Sequence, residues 1–163
     1  MSAQSEHEKW MARAIQLAKQ AETLGEVPIG AVIVKEGEVL GEGYNRREID
    51  RNPLAHAELM AIQQACERLG GWRLAGCDLY VTLEPCPMCA GAIVQARLRR
   101  VIYGTEDPKA GYAGSLHNTL QDERLNHQTD VIAGIRREEC QHLLKDFFRR
   151  LREQKKAAKG MST

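Results

Sequence analysis

Two short segments place the strongest constraint on the fold of this chain. They are Ala55-His56-Ala57-Glu58 and Pro85-Cys86-Pro87-Met88-Cys89, in which Cys86 follows His56 by thirty positions. Each segment stands at the start of a predicted helix. Together they supply one imidazole, two thiols and a carboxylate that is not needed as a ligand. A catalytic zinc site typically has three protein ligands and one open position. We therefore expect a fold that brings two helix N-termini together, so that His56, Cys86 and Cys89 bind one zinc ion.

The two cysteines lie one helical turn apart at the start of the third predicted helix. A helix N-terminus stabilises negative charge and lowers the pKa of a thiol there. A pair of small buried residues and a redox-active C-x-x-C pair are the competing interpretations. His56 adds a third ligand of suitable type, which favours the metal site.

Glu58 lies on the apolar stripe of the second predicted helix, in helical phase with Ile62 and Leu69. An unpaired carboxylate is costly to bury there, and a metal-activated water would give it a partner. The alternative is a first-turn glutamate that stabilises the helix N-terminus. Residues two apart on a helix point in nearly opposite directions, so His56 is predicted to lie at or before the first turn.

A structural zinc site would need a fourth protein ligand. Cys66 is ten residues along the helix from His56, and Cys77 is at the far end of a predicted strand, so neither reaches the site easily. No P-loop, Rossmann glycine set or serine triad is present. These observations favour an open coordination position and hydrolytic chemistry at an electrophilic carbon, with Glu58 moving protons.

The hydrophobic pattern predicts a single domain of 163 residues with helices and strands in alternation. The order of these elements favours helices packed on a mixed sheet of about five strands. Helices are predicted at 7–24, 55–69 and 87–97 and in a final segment whose apolar stripe runs through 140–151, and strands at 28–34, 39–44, 78–83, 100–103 and 131–135. Residues 45–53 and 105–129 are predicted loops, the second with one helical turn.

Charge and cysteine usage narrow the class of protein. Five cysteines at irregular spacing are not typical of a disulfide framework, and no apolar segment is long enough to span a bilayer. A cytoplasmic protein with no membrane partner is therefore expected. Residues 136–163 carry nine Lys or Arg against four Asp or Glu, although the whole chain has a net charge of only +1. The end of this segment, from about residue 155, is predicted to be a flexible basic tail.

The His-Ala-Glu and Pro-Cys-Pro-Met-Cys segments resemble the motifs of the zinc-dependent nucleobase deaminases. The closer resemblance is to the bacterial tRNA-specific adenosine deaminases, and it covers nearly the whole chain. It is also carried by residues 26–31, 43–45, 82–92, 113–116 and 146–149. The resemblance implies a three-layer α/β/α cytidine-deaminase-like fold and one zinc ion per chain. It further implies that the protein is an RNA-binding homodimer that acts in tRNA processing. The implied reaction is the hydrolysis of adenosine to inosine at the wobble position of a tRNA anticodon, with release of ammonia.

The resemblance also assigns roles at the metal site. It implies that His56, Cys86 and Cys89 bind zinc and that Glu58 is the proton shuttle. Asn45 resembles the base-contacting asparagine of the family, and the alternative is a loop asparagine in a left-handed conformation.

Four further residues are candidate substrate contacts. Asp107 and Lys109 resemble positions that shape the substrate groove. Phe148 and Arg149 are candidate contacts to flanking nucleotides. Core packing is the alternative for Phe148, and a solvated helix face is the alternative for Arg149 and its basic neighbours.

Two other functions compete with tRNA deamination. A deaminase of a free base, nucleoside or nucleotide would use the same zinc and glutamate, but it would not need a basic C-terminal helix. A non-enzymatic zinc module would need a fourth ligand.

Overall fold

The computed structural model describes residues 2–161, and its helices and strands follow the predicted order. The helices are α1 (Ala3–Thr23), α2 (Ala57–Leu69), α3 (Pro87–Gln95) and α4 (Arg137–Met161). The strands are β1 (Gly30–Lys35), β2 (Glu38–Tyr44), β3 (Asp78–Leu83), β4 (Arg100–Thr105) and β5 (Asp130–Ala133). One turn of 3₁₀ helix, η1 (Thr119–Gln121), interrupts the long loop after β4. No helix within residues 2–161 is both long and apolar enough to cross a membrane.

The strands form one mixed sheet in the order β2-β1-β3-β4-β5. β1 is antiparallel to β2 and to β3, whereas β3, β4 and β5 are mutually parallel. Parallel neighbours need a crossover connection, and α3 supplies the one between β3 and β4. α3 therefore starts at the carboxyl end of β3, where sites in α/β sheets usually lie.

Alternation along the central strands builds a core on each face of the sheet. Ala31 and Ile33 of β1 pack in the core that contains α2 and α3. Val32 and Val34 point the other way and pack with Met11 of α1 and with the start of α4. The sheet is thus the middle layer of three, as the sequence predicted.

Two glycines of β2 allow α2 to approach the sheet closely. A Cβ on Gly43 would lie 2.3 Å from the carbonyl oxygen of Ala57, and one on Gly41 would lie 2.2 Å from that of Ala61. Glycine has no side chain to prevent this approach. The first turn of α2 is consequently held against the sheet, and this turn carries the predicted catalytic residue.

Helix ends differ most from the predictions. α1 begins at Ala3 rather than at residue 7, because the Ser5 N–H donates a hydrogen bond to the Oγ of Ser2, its N-cap. α4 continues to Met161, although a flexible tail was predicted from about residue 155. Alanine, lysine and glutamine are strong helix formers, so this exposed segment extends the helix. The last two residues of the predicted tail lie outside the described residues.

Candidate active site

The three predicted metal ligands meet where two helices begin. His56 is the N-cap of α2, and Cys86 is the N-cap of α3. The Nδ1 atom of His56 lies 3.7 Å from the Sγ of Cys86 and 3.4 Å from the Sγ of Cys89. Within residues 2–161, this is the one group of three or more possible ligand side chains whose donor atoms all lie within 4.8 Å of one another. The prediction that His56 precedes the first turn of its helix is confirmed.

The electrostatics of this group suit a cation. A hydrogen bond from the Cys89 thiol, helped by one with His56, lowers the pKa of Cys86 to about 4. The same bond between the sulfurs, together with burial, raises the pKa of Cys89. Without a cation the two thiols therefore hold one proton and one negative charge. A metal ion would displace the remaining proton and bind both thiolates.

The donor set fits zinc in particular. One imidazole nitrogen and two thiolate sulfurs are ligands that zinc prefers, and three protein ligands leave the fourth tetrahedral position open. The group gains no fourth protein donor from the described part of the chain. The arrangement therefore matches a catalytic site better than a structural one.

Glu58 lies beside the ligand group and is only 4% exposed. Burial raises the pKa of its carboxyl to about 7. Its side chain also shares a hydrogen bond with Cys89. A group with a pKa near neutrality can both accept and return a proton at physiological pH. The predicted burial of Glu58 is confirmed, and its position suits proton transfer.

A cavity of about 260 Å³ adjoins these residues. Its size is near the lower end of the range for small-molecule sites. The walls are mostly apolar, with a few convergent polar groups. The lining residues are Val27, Ile29, Asn45, Arg47, His56, Ala57, Glu58, Leu83, Glu84, Cys86, Asp107, Ala110 and Phe148. Of the five predicted substrate contacts, three therefore lie on this cavity.

Asn45 directly follows β2 and is buried in the cavity wall. Its Nδ2 donates to the carbonyl of Val27 at 3.3 Å, and its Oδ1 accepts the N–H of Arg47 at 3.1 Å. Each of these atoms retains capacity for one more hydrogen bond. Asn45 is not one of the residues with positive φ, so the alternative of a left-handed loop asparagine is wrong.

The loop after β4 forms a second part of the wall. The Oδ1 of Asp107 accepts the N–H groups of Lys109 at 3.1 Å and Ala110 at 3.2 Å, so this carboxylate stabilises its own turn. Asp107 and Ala110 line the main cavity. Lys109 does not; it lies on a neighbouring cavity that Asp107 and Phe148 also line.

The two candidates in α4 differ in position. Phe148 is 41% exposed and borders both cavities, so the alternative of simple core packing is wrong. Its ring contacts that of Phe147 edge to face, with centroids 5.4 Å apart. Arg149 lines neither cavity, because its guanidinium pairs with Asp146 and Glu153 along the helix surface.

Sequence reasoning missed two buried carboxylates beside the cavity. Glu26 and Glu84 are 1% and 2% exposed. Glu26 accepts two backbone N–H groups of the loop between β2 and α2, and Glu84 accepts three from the loop after β4. The argument that singled out Glu58 also applies to Glu84, because a glutamate that follows an apolar strand is costly to bury without partners. Arg47 also lines the cavity, but nothing in its sequence neighbourhood predicted this position.

Known proteins share the fold and much of the sequence. The profile of the MafB19-like deaminase family matches residues 5–152. A tRNA-specific adenosine deaminase of Bacillus subtilis (strain 168) is 53% identical over 155 residues, which are 95% of this chain and 96% of the relative. The chain belongs to the tRNA-specific adenosine deaminase family.

Other members agree with this assignment. The tRNA-specific adenosine deaminase of Haemophilus influenzae is 43% identical over 94% of this chain and 90% of its own. A solved structure from a study of A-to-I editing by tRNA wobble-position deaminases is 44% identical, with a TM-score of 0.80. This match covers 83% of our chain and 99% of the solved chain. The three-layer fold implied by the resemblance is thereby confirmed.

Proposed function

We propose that this protein hydrolyses adenosine to inosine at the wobble position of a tRNA anticodon and releases ammonia. The observation that carries the proposal is the placement of the buried Glu58 beside the His56, Cys86 and Cys89 group, on a cavity in a member of this family. One zinc ion bound by these three side chains would lower the pKa of a coordinated water and so supply the nucleophile.

Glu58 moves the protons of the reaction. Its carboxylate accepts a proton from the attacking water and passes it to a ring nitrogen of the adenine as C6 is attacked. It then carries the remaining proton of the new C6 hydroxyl to the amino group; the C6–N bond breaks, ammonia leaves, and the C6 oxygen becomes the carbonyl of inosine. A pKa of about 7 makes both the acceptor and the donor form of Glu58 available.

The cavity walls hold the base and its neighbours. Asn45 offers one N–H and one lone pair to a purine edge. Phe148 offers an exposed aromatic face on which a base of an unstacked RNA loop can stack. Asp107 and Lys109 shape the groove beside the target nucleotide, and Arg149 contacts the RNA backbone from the surface of α4.

RNA is favoured over a small substrate by the charge of α4. Arg152, Lys155 and Lys156 are exposed, and none belongs to an ion pair among residues 2–161. Such cations attract phosphates, which a free base does not carry. A deaminase of a free base, nucleoside or nucleotide would not need a basic C-terminal helix.

A direct assay tests the proposal. Zinc-loaded protein is incubated with an anticodon stem-loop that bears a wobble adenosine, and inosine is measured by nuclease digestion and mass spectrometry. A stem-loop with adenosine at a neighbouring loop position is the matched control. Inosine at the wobble position alone supports the proposal. Turnover of free cytidine, guanine or adenosine without inosine in the stem-loop would overturn it.

We further infer a homodimer in the cytoplasm, as the resemblance to the bacterial tRNA-specific adenosine deaminases implies. The cysteines are unpaired in the structure, in keeping with a reducing compartment. Light scattering should give twice the 18.3 kDa mass of the chain, and cell fractionation should recover the protein with soluble cytoplasmic markers.

A further inference from the structure

Glu84 is the centre of a hydrogen-bond cluster that includes one loop of the site. Its Oε1 accepts the N–H of Asp107 at 2.9 Å, and its Oε2 accepts those of Ala113 and Ser115, both at 3.0 Å. The Ser115 hydroxyl donates a further hydrogen bond to Oε1. No ion pair among residues 2–161 includes Glu84, so backbone and hydroxyl donors stabilise its charge.

The loop backbone closes tightly around this carboxylate. A Cβ on Gly111 would lie between 2.3 and 2.5 Å from the carboxyl carbon and oxygens of Glu84. Only glycine fits at this distance. The next residue, Tyr112, donates its N–H to the carbonyl of Pro85 at 2.8 Å. The loop is thus bound to the segment between β3 and α3 on both sides of Gly111.

This loop carries one wall of the cavity. Asp107 and Ala110 line the cavity, and we call residues 107–110 the loop wall. The Glu84 carboxylate holds the first residue of the wall and the segment just beyond it. The His56, Cys86 and Cys89 group and Glu58 lie instead at the N-caps and first turns of α2 and α3. The hydrogen bonds of the Glu84 carboxylate therefore go to the loop, although Glu84 precedes Cys86 by only two residues.

We propose that Glu84 is a positioning residue for the substrate: it holds the loop wall so that the target nucleotide is aligned with Glu58. This inference rests on the proposed function. A glutamine at position 84 has only one acceptor oxygen, so some of these backbone N–H groups lose their partner whichever way the amide turns. A loosened wall weakens ground-state and transition-state binding together, which raises KM more than it lowers kcat.

Asp78 offers a matched control at the opposite end of β3. It is also a buried carboxylate, and it pairs with Arg99 and Arg100. It lines neither of the two cavities described above. Both Glu84→Gln and Asp78→Asn should lower the melting temperature. With the anticodon stem-loop, Glu84→Gln should raise KM about ten-fold, change kcat by less than about two-fold and retain its zinc, whereas Asp78→Asn should leave KM unchanged.

Three results would overturn the proposal: an unchanged KM in Glu84→Gln, an equal rise of KM in Asp78→Asn, or loss of zinc from Glu84→Gln. Loss of zinc would show that the substitution acts on Cys86 and not on the loop wall. Gly111→Ala gives an independent approach, because its added Cβ displaces the Glu84 carboxylate. It should raise KM as Glu84→Gln does, and a normal KM would contradict the proposal.

Hydrogen exchange separates this inference from the proposed function. In Glu84→Gln the amides of Asp107, Ala113 and Ser115 should exchange faster, while those of α2 and α3 keep wild-type rates. This measurement needs no substrate. If the wild-type protein forms no inosine, the proposed function fails, but hydrogen exchange still tests whether Glu84 holds the loop. Unchanged exchange at these three amides would show that it does not.

Discussion

The Nδ1 atom of His56 lies 3.4 Å from the Sγ of Cys89, although 33 positions separate the two residues. Each belongs to the start of a different helix, and both helices begin at the same edge of the sheet. A cation bound between them would stabilise thiolates that the N-terminus of α3 already favours.

Replacement of Cys89 by serine should reduce zinc affinity by at least about 100-fold, because a ligand is lost from a three-ligand site. Elemental analysis after dialysis against a chelator checks this. Cys66→Ser is the matched control, since Cys66 lies near the far end of α2, where its thiol donates a hydrogen bond to the Trp72 carbonyl at 3.7 Å. Equal zinc retention in the two variants would contradict the assigned site.

The variant Glu58→Gln should lose activity by about 10²- to 10⁴-fold, the usual range for removal of a general acid–base group. It should keep one zinc per chain. Its free energy of unfolding should not fall, because burial of the carboxylate is unfavourable. Single-turnover inosine formation, zinc content and urea unfolding check the three expectations. Simultaneous loss of zinc and activity would instead indicate a ligand role for Glu58.

Removal of the Phe148 ring should weaken binding of the anticodon stem-loop by about 1–3 kcal/mol, the usual effect of losing a base-stacking side chain. Phe148→Trp should retain affinity, because it keeps an aromatic face. Trp72→Ala is the control, since Trp72 is 54% exposed but borders neither cavity. Fluorescence anisotropy measures all three variants. The stacking role is wrong if Phe148→Ala binds like Trp72→Ala.

Asp78 should give a pH-dependent contribution to stability. Burial raises the pKa of its carboxyl, but hydrogen bonds and charges from Arg99 and Arg100 lower it more, so the net shift is downward. A group with a lower pKa in the folded state stabilises fully above its unfolded pKa of about 4, and this stabilisation is lost as the pH falls through the folded pKa.

The variant Asp78→Asn should therefore lower the free energy of unfolding by about 1–3 kcal/mol at neutral pH. The difference from wild type should shrink below about pH 4. Urea unfolding at a series of pH values measures it. A difference that stays constant down to acid pH would show that the carboxylate charge is not what stabilises this end of β3.

The exposed cations of α4 should control the salt dependence of RNA binding. Each lost contact to a single-stranded phosphate lowers the slope of log affinity against log salt by about 0.7. Replacement of Arg152, Lys155 and Lys156 by glutamine should therefore flatten this slope. Arg149→Gln should have a smaller effect, because acidic neighbours already pair with Arg149. Anisotropy titrations at several salt concentrations measure this slope. An unchanged slope in the triple variant would exclude these phosphate contacts.

Much of the site could be predicted from local pattern. Helical phase placed Glu58 on a buried stripe and His56 ahead of the first turn, and the structure has both. These features depend on the 3.6-residue period and on the chemistry of a helix N-terminus, which act within a few residues. The element order was also predictable, since strands and helices differ in hydrophobic period.

The tertiary structure decided what the local pattern could not. Phe148 continues the apolar stripe of α4, but the helix docks on the sheet mainly through its first turns, near Cys140, so the Phe148 ring is left at the cavity edge. The loop after β4 has no period to interpret, and its shape depends on a carboxylate more than twenty residues earlier, Glu84. Sequence alone determined which residues could bind a metal and which helix faces are apolar, because those properties are local. Only the packing of helices and loops on the sheet decided which side chains meet, because those contacts join residues distant in the chain.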